Sequence, residues 1–150
     1  MEAKESLALS KKLIDPFLRN ELKLSGSVVK IFNSLLLNCV NNNSLLTLKA
    51  VDAKNNILAL AHFVFNDKHA LYLKGTNFDK KENSGSMHLL IDAAIKHFDG
   101  KVKIFDFGGG SNSESLGGFY KGLGGTELNY SFLKINKLPS LIKILKGDKS

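Results

Sequence analysis

The chain has 150 residues, one cysteine and a formal net charge of +7, enough for one domain with a sizeable core and too little for two. A single cysteine excludes an internal disulfide and fits a reducing, cytoplasmic setting; no apolar run approaches the ~20 residues of a membrane span, and the charged opening MEAKESLALSKK lacks the apolar core of a secretory leader. Arg19 is the only arginine among many lysines, which disfavours bidentate base readout but leaves a phosphate, a coenzyme, an RNA backbone or acidic lipid as anionic partners.

From the N-terminus, Glu5 to Leu24 reads as a helix with Leu7, Leu9, Leu13, Ile14, Phe17 and Leu18 on one broad side. Pro16 should end or kink it near Asp15. After Ser25-Gly26-Ser27, a second helix is expected from Val28 to Val40, with Val29, Ile31, Phe32, Leu35, Leu36 and Val40 mostly buried. Asn41-Asn42-Asn43 stops it, because asparagine tolerates the left-handed region. Cys39 lies in this apolar run and reads as a packing residue.

Three strands follow. Leu45 to Val51 alternates; Ile57 to Phe65 is apolar almost throughout, as for a strand covered on both faces; His69 to Gly75 closes the set. The short links between them make antiparallel neighbours. Polar Thr76 to Ser86 leads to a helix over Met87 to Phe98, with Gly100 as its cap, and then to a strand from Val102 to Phe107. Strand, crossover helix and strand imply one parallel pair. A last strand is expected over about Glu127 to Ile135, followed by a lysine-rich amphipathic tail. The sum is a single α+β domain: a helical part over 1–43, a mixed and mostly antiparallel sheet core over 44–135, and a basic tail over 136–150.

The segment Lys101 to Tyr130, KVKIFDFGGGSNSESLGGFYKGLGGTELNY, is the organising unit. A strand breaks at Gly108, Gly109 and Gly110, a polar run caps a short helix over Leu116 to Leu123, and Gly124-Gly125 stops it. Glycines at a strand end admit close backbone approach, and a helix start offers amide groups to an anionic or carbonyl-bearing ligand. Asp106, between Phe105 and Phe107, faces the layer opposite the rings; it is either a base for an amine or a clasp on the glycine turn. Glu114 is a weaker catalytic candidate. His62 reads as a core histidine, and no His or Cys spacing matches a metal site, so no metal is expected.

This layout resembles the GNAT N-acetyltransferase superfamily, with the narrower likeness pointing to the branch related to the Fem peptidoglycan aminoacyl-ligases. Ile104-Phe105-Asp106-Phe107-Gly108-Gly109, Phe119-Tyr120-Lys121-Gly122-Leu123-Gly124-Gly125 and the helix from Ser84 to Phe98 carry the resemblance, which spans roughly Leu45 to Leu133. It implies a wedge between two splayed strands that receives an acyl donor, acetyl-CoA by default. The coenzyme's pyrophosphate would lie on Lys80, Lys81, Asn83, Ser84, Gly85 and Ser86. The family pattern is basic-x-x-Gly-x-Gly or Ala; Asn83 stands where its first glycine belongs. Tyr120 matches a tyrosine that protonates the leaving thiolate. The function implied is acyl transfer to a small-molecule or peptide amine. The alternatives are a non-catalytic domain of this kind that dimerises or binds a partner, and, less supported, a basic RNA or membrane-surface binder.

Overall fold

The computed structural model describes residues 7–78, 85–108 and 114–129. A π-helical turn, Ser10–Ile14, runs directly into helix α1, Asp15–Asn20. The change of pitch falls beside Pro16. Proline lacks an N–H and crowds the carbonyl of the preceding turn, and the wider π turn upstream relieves that crowding. The expected kink at Asp15 is therefore realised as a switch of helix type, with the Asp15 N–H bonded to Ser10 O.

Helix α2, Gly26–Asn41, starts at Ser25, whose side chain accepts from the Val28 N–H. Asn33 on α2 donates to both carboxylate oxygens of Asp15, at 3.0 and 2.9 Å, which ties α2 to the start of α1. Only Val29 and Leu36 of α2 are fully buried. The expectation of a broad buried face is corrected here: Val28, Leu35 and especially Ile31, 69% exposed, point away from the sheet. The apolar residues of α2 wrap around more of the helix than one sheet face can cover.

The sheet has the order β1-β2-β3-β4, with β1 Leu45–Val51, β2 Ile57–Phe65, β3 His69–Asn77 and β4 Ile104–Asp106. β1, β2 and β3 form an antiparallel meander, and β4 joins β3 in parallel after helix α3, Ser86–Phe98. Asp52 and Asn66 close the two hairpins by accepting backbone N–H groups from the residues that follow. Gly100, at φ 70°, takes the left-handed turn that ends α3. Strand β4 is shorter than the expected Val102 to Phe107. Helix α4 is Glu114–Gly122, and Glu127 to Asn129, expected to begin a strand, are irregular. The rest of that segment and the tail lie outside the described residues.

Two cores lie on opposite faces of the sheet. Phe63, Ala59, Ala61 and Ala70 pack with Leu90, Ile91, Ala94 and Phe98 of α3, and Phe105, Phe107 and Phe119 close that side. On the other face Leu60 packs with Ile14, Leu18 and Val29 from the N-terminal helices. Strand β2 is thus covered on both faces, as its unbroken apolar run implies.

Candidate active site

Strands β3 and β4 are joined by three register pairs, His69–Ile104, Ala70–Phe105 and Leu71–Asp106, and the pairing ends there. Just beyond, the β2–β3 register slips between His62–Lys74 and Phe63–Tyr72, so Leu73 is an extra residue on β3. A bulge of this kind bends its strand and leaves one residue unpaired. Beyond the last pair the structure holds a cleft of about 400 Å³, lined by Leu71 to Gly75 of β3, Phe107, Gly108, and Leu116 and Tyr120 of α4. A second hollow of similar size sits at the far end of the sheet, around Asn43, Asn66 and His97, away from the glycine turn.

The cleft has an aromatic wall on the α3 side. Tyr120 stacks on Phe107 with ring centroids 4.9 Å apart and meets Tyr72 edge-on at 6.5 Å. The Tyr72 hydroxyl donates to Met87 Sδ at 3.4 Å, which brings the first turn of α3 to the cleft. Burial, and secondarily the nearby Tyr120, push the Tyr72 phenol well above its usual range, and burial raises Tyr120 as well. Both are therefore protonated at neutral pH. Gly75 makes this packing possible: a Cβ there would collide with the Tyr72 hydroxyl and lie 2.8 Å from Met87 Cε.

Asp106 is the last residue of β4 that pairs with β3. Its register partner is Leu71, so its side chain lies on the sheet face opposite Phe105, as the alternation implies. Oδ1 accepts the Gly108 N–H at 2.7 Å, and Oδ2 lies 3.4 Å from His69 Nε2. The carboxylate thus clasps the glycine turn, and at 43% side-chain exposure it is also open to solvent. Gly108 has φ 79° and sits against the Tyr72 carbonyl, 3.3 Å from where a Cβ would be. Gly109 and Gly110 lie outside the described residues.

Of the residues expected to hold a coenzyme, Gly85 and Ser86 are described; Lys80, Lys81, Asn83 and Ser84 lie outside the described residues. Gly85 is the N-cap of α3, at φ 70°, and among the described residues no atom lies within 4 Å of where a Cβ would be. Gly85 and Ser86 are thus the described residues at the start of α3, an end whose amide groups suit an anionic group.

His62 is a core residue, as expected. Its Nδ1 is 2.9 Å from Thr47 Oγ1, Nε2 has no partner, and burial pushes its pKa down to about 4. An unfolded histidine titrates near 6.5. Between those values the unfolded chain binds a proton that the folded chain does not, so stability falls as pH drops through that window. The expected loss by pH 4 is ~3 kcal/mol, read as a melting temperature that falls more steeply from pH 7 to pH 4 in the parent than in His62→Gln.

The sequence did not single out Tyr72, Gly75 or Lys74. The available signal was the isolated glycine ending the alternating run HALYLKG, which marks a bulge or a close backbone approach. Among the described residues no group of three or more His, Cys, Asp or Glu could hold a metal, and no helix is long and apolar enough to cross a membrane.

No family model matches the sequence, and no curated protein matches it. Solved structures do. A probable acetyltransferase superposes with a TM-score of 0.66 over 89% of this chain and 95% of that one, at 12% identity. The chain has the GNAT fold. A GNAT-family acetyltransferase from Streptococcus pneumoniae matches at TM-score 0.56 and 17% identity, over 73% of this chain and 80% of that one. A predicted acetyltransferase from Clostridium acetobutylicum, solved with acetyl-CoA, matches at TM-score 0.57 and 16% identity over 90% of each chain. None of these three is a Fem-type ligase, so the comparisons support the GNAT likeness at the level of fold and not that branch. The end of the β3–β4 pairing, Met87 in the first turn of α3 and Tyr120 of α4 meet around Tyr72.

Proposed function

We propose that the chain transfers an acyl group, acetyl by default, from a coenzyme A thioester to an amine. The observation that carries this reading is the end of the β3–β4 pairing at Leu71 and Asp106, with Tyr120 lining the cleft beyond it and Met87, in the first turn of α3, touching Tyr72 of its wall. A thioester supplies an activated acyl carbon. The start of α3, with Gly85 and Ser86, would take the donor's phosphates, together with Lys80, Lys81, Asn83 and Ser84 as the family likeness implies. Gly108 keeps that edge of the cleft free of side-chain bulk.

The chemistry follows from which face each group occupies. The amine nitrogen bonds to the acyl carbon, the carbon–sulfur bond breaks, the amine loses one proton and the sulfur takes one. Tyr120, a protonated phenol on the α3 side, supplies the proton to sulfur. Asp106, on the opposite face, receives or orients the ammonium proton of the incoming amine. Acid and base lie on opposite sides of the sheet, as a donor threaded through the gap requires.

Acetyl-CoA should raise the melting temperature. At a hundredfold excess over Kd the gain is about 2.7 kcal/mol, or roughly 5–11 °C for a chain of this size. Gly85→Ala should reduce the rise, because an L residue at a left-handed position strains the helix start. Thiol release with amines then reports turnover. A second reading has its own observation: the apolar stripe Val28, Ile31 and Leu35 on α2 is exposed, and β1 is an open edge of the described sheet. A flat melting curve in acetyl-CoA, with a solution mass of two chains, would favour the non-catalytic domain that pairs with its own copy.

A further inference from the structure

On the sheet face covered by the N-terminal helices, two buried polar side chains find no hydrogen-bond partner among the described residues. Thr76 is 3% exposed and its Oγ1 has no hydrogen-bond partner; His62 is fully buried and its Nε2 has none. Such atoms are nearly always satisfied in folded proteins, so each asks for a partner. Lys74 is placed between them. It pairs with His62 across the ladder and precedes Thr76 by two residues, so the three share one face.

Lys74 is half-buried, and burial lowers the pKa of its ammonium. Its Nζ stands 5.0 Å over the Phe17 ring. A ring face attracts a cation but carries no countercharge. Among the described residues no carboxylate is within ion-pair distance of it. A cation taken partly out of water without an anion is a costly arrangement that a ligand can relieve. Lys74 also lines the cleft beyond the β3–β4 pairs, on the face shared with Asp106, where the amine arrives.

We propose that this cluster anchors the acceptor, and that the acceptor is an amine bearing a carboxylate, an amino acid in the simplest case, whose carboxylate is bound by Lys74. Thr76 and His62 stand behind that contact. In the tautomer in which Thr47 donates to Nδ1, Nε2 carries the N–H, and all three groups then offer donors. A donor set with one cation matches a single negative charge; a phosphate dianion would call for further cations. It repels polyamines and lysine-rich peptides, which carry like charge to this face.

The proposal rests on the acyl-transfer reading, and two experiments separate them. In the first, acetyl-CoA is turned over with free amino acids and with the matching amino-acid amides. The acids should be preferred by about tenfold or more in kcat/KM. Lys74→Met should abolish the preference through KM while leaving the melting shift given by acetyl-CoA unchanged, and Lys74→Arg should retain most of it. In the second, no donor is present: ¹H–¹⁵N spectra of the full chain are titrated with the preferred amino acid, or with glutamate if no turnover is seen. Saturable shifts at Lys74, Thr76 and His62, lost in Lys74→Met, support the anchor. Equal use of acids and amides overturns it, as does a preference that survives Lys74→Met or a titration that leaves these residues unmoved. If acetyl-CoA neither binds nor turns over, the acyl-transfer reading fails and the titration alone decides the carboxylate site.

Discussion

A Tyr120→Phe chain should bind acetyl-CoA as the parent does and turn over about a hundredfold more slowly, the low end of what a positioned proton donor contributes. The ring stays where Phe107 and Tyr72 hold it, since the stacked and edge contacts need no hydroxyl. Only the proton is lost. Burial raises the phenol's pKa, so the group is a weak acid held in its donating form across the neutral range, and the loss should appear in kcat rather than in KM. The readout is steady-state thiol release alongside the melting shift in acetyl-CoA. Full turnover would make Tyr120 a packing residue of α4.

Phe63→Ala should cost about 3–5 kcal/mol, a large share of the ~5–15 kcal/mol that holds a domain together. Phe63 is fully buried at the centre of the α3-side core. Its ring lies 5.5 Å from Tyr72 and 5.9 Å from Phe105, so one side chain braces both strands that border the gap. At ~2–4 °C per kcal/mol, thermal unfolding should begin roughly 6–20 °C lower. Phe63→Leu keeps most of the volume and should recover much of the loss.

Much of the fold was legible because local rules and the global packing agree. The apolar run of β2 announced a strand covered twice, the Asn- and Asp-rich links announced hairpins, and the helix between β3 and β4 announced their parallel pairing. What was not legible depends on register. Nothing in HALYLKG says that Leu73 is the extra residue, yet that slip puts Lys74 opposite His62 and Tyr72 opposite Phe63. The exposed side of α2 was hidden for a related reason: its apolar residues occupy more of the helix than the sheet can cover, and composition does not say which part is left out. Of the site, Asp106, Gly108 and Tyr120 were read from one glycine-punctuated segment. Tyr72, Gly75 and Lys74 come from a strand whose alternation looked ordinary.

The parallel seam between β3 and β4 is only three residue pairs long. Each further rung that an entering molecule unzips costs little compared with disturbing the long meander beside it. The sheet therefore yields first along this seam, the place where an acyl chain would enter on the acyl-transfer proposal. On that proposal, selectivity for the acyl chain's length would rest less on the strands than on the rings of Phe107 and Tyr120 that line the cleft.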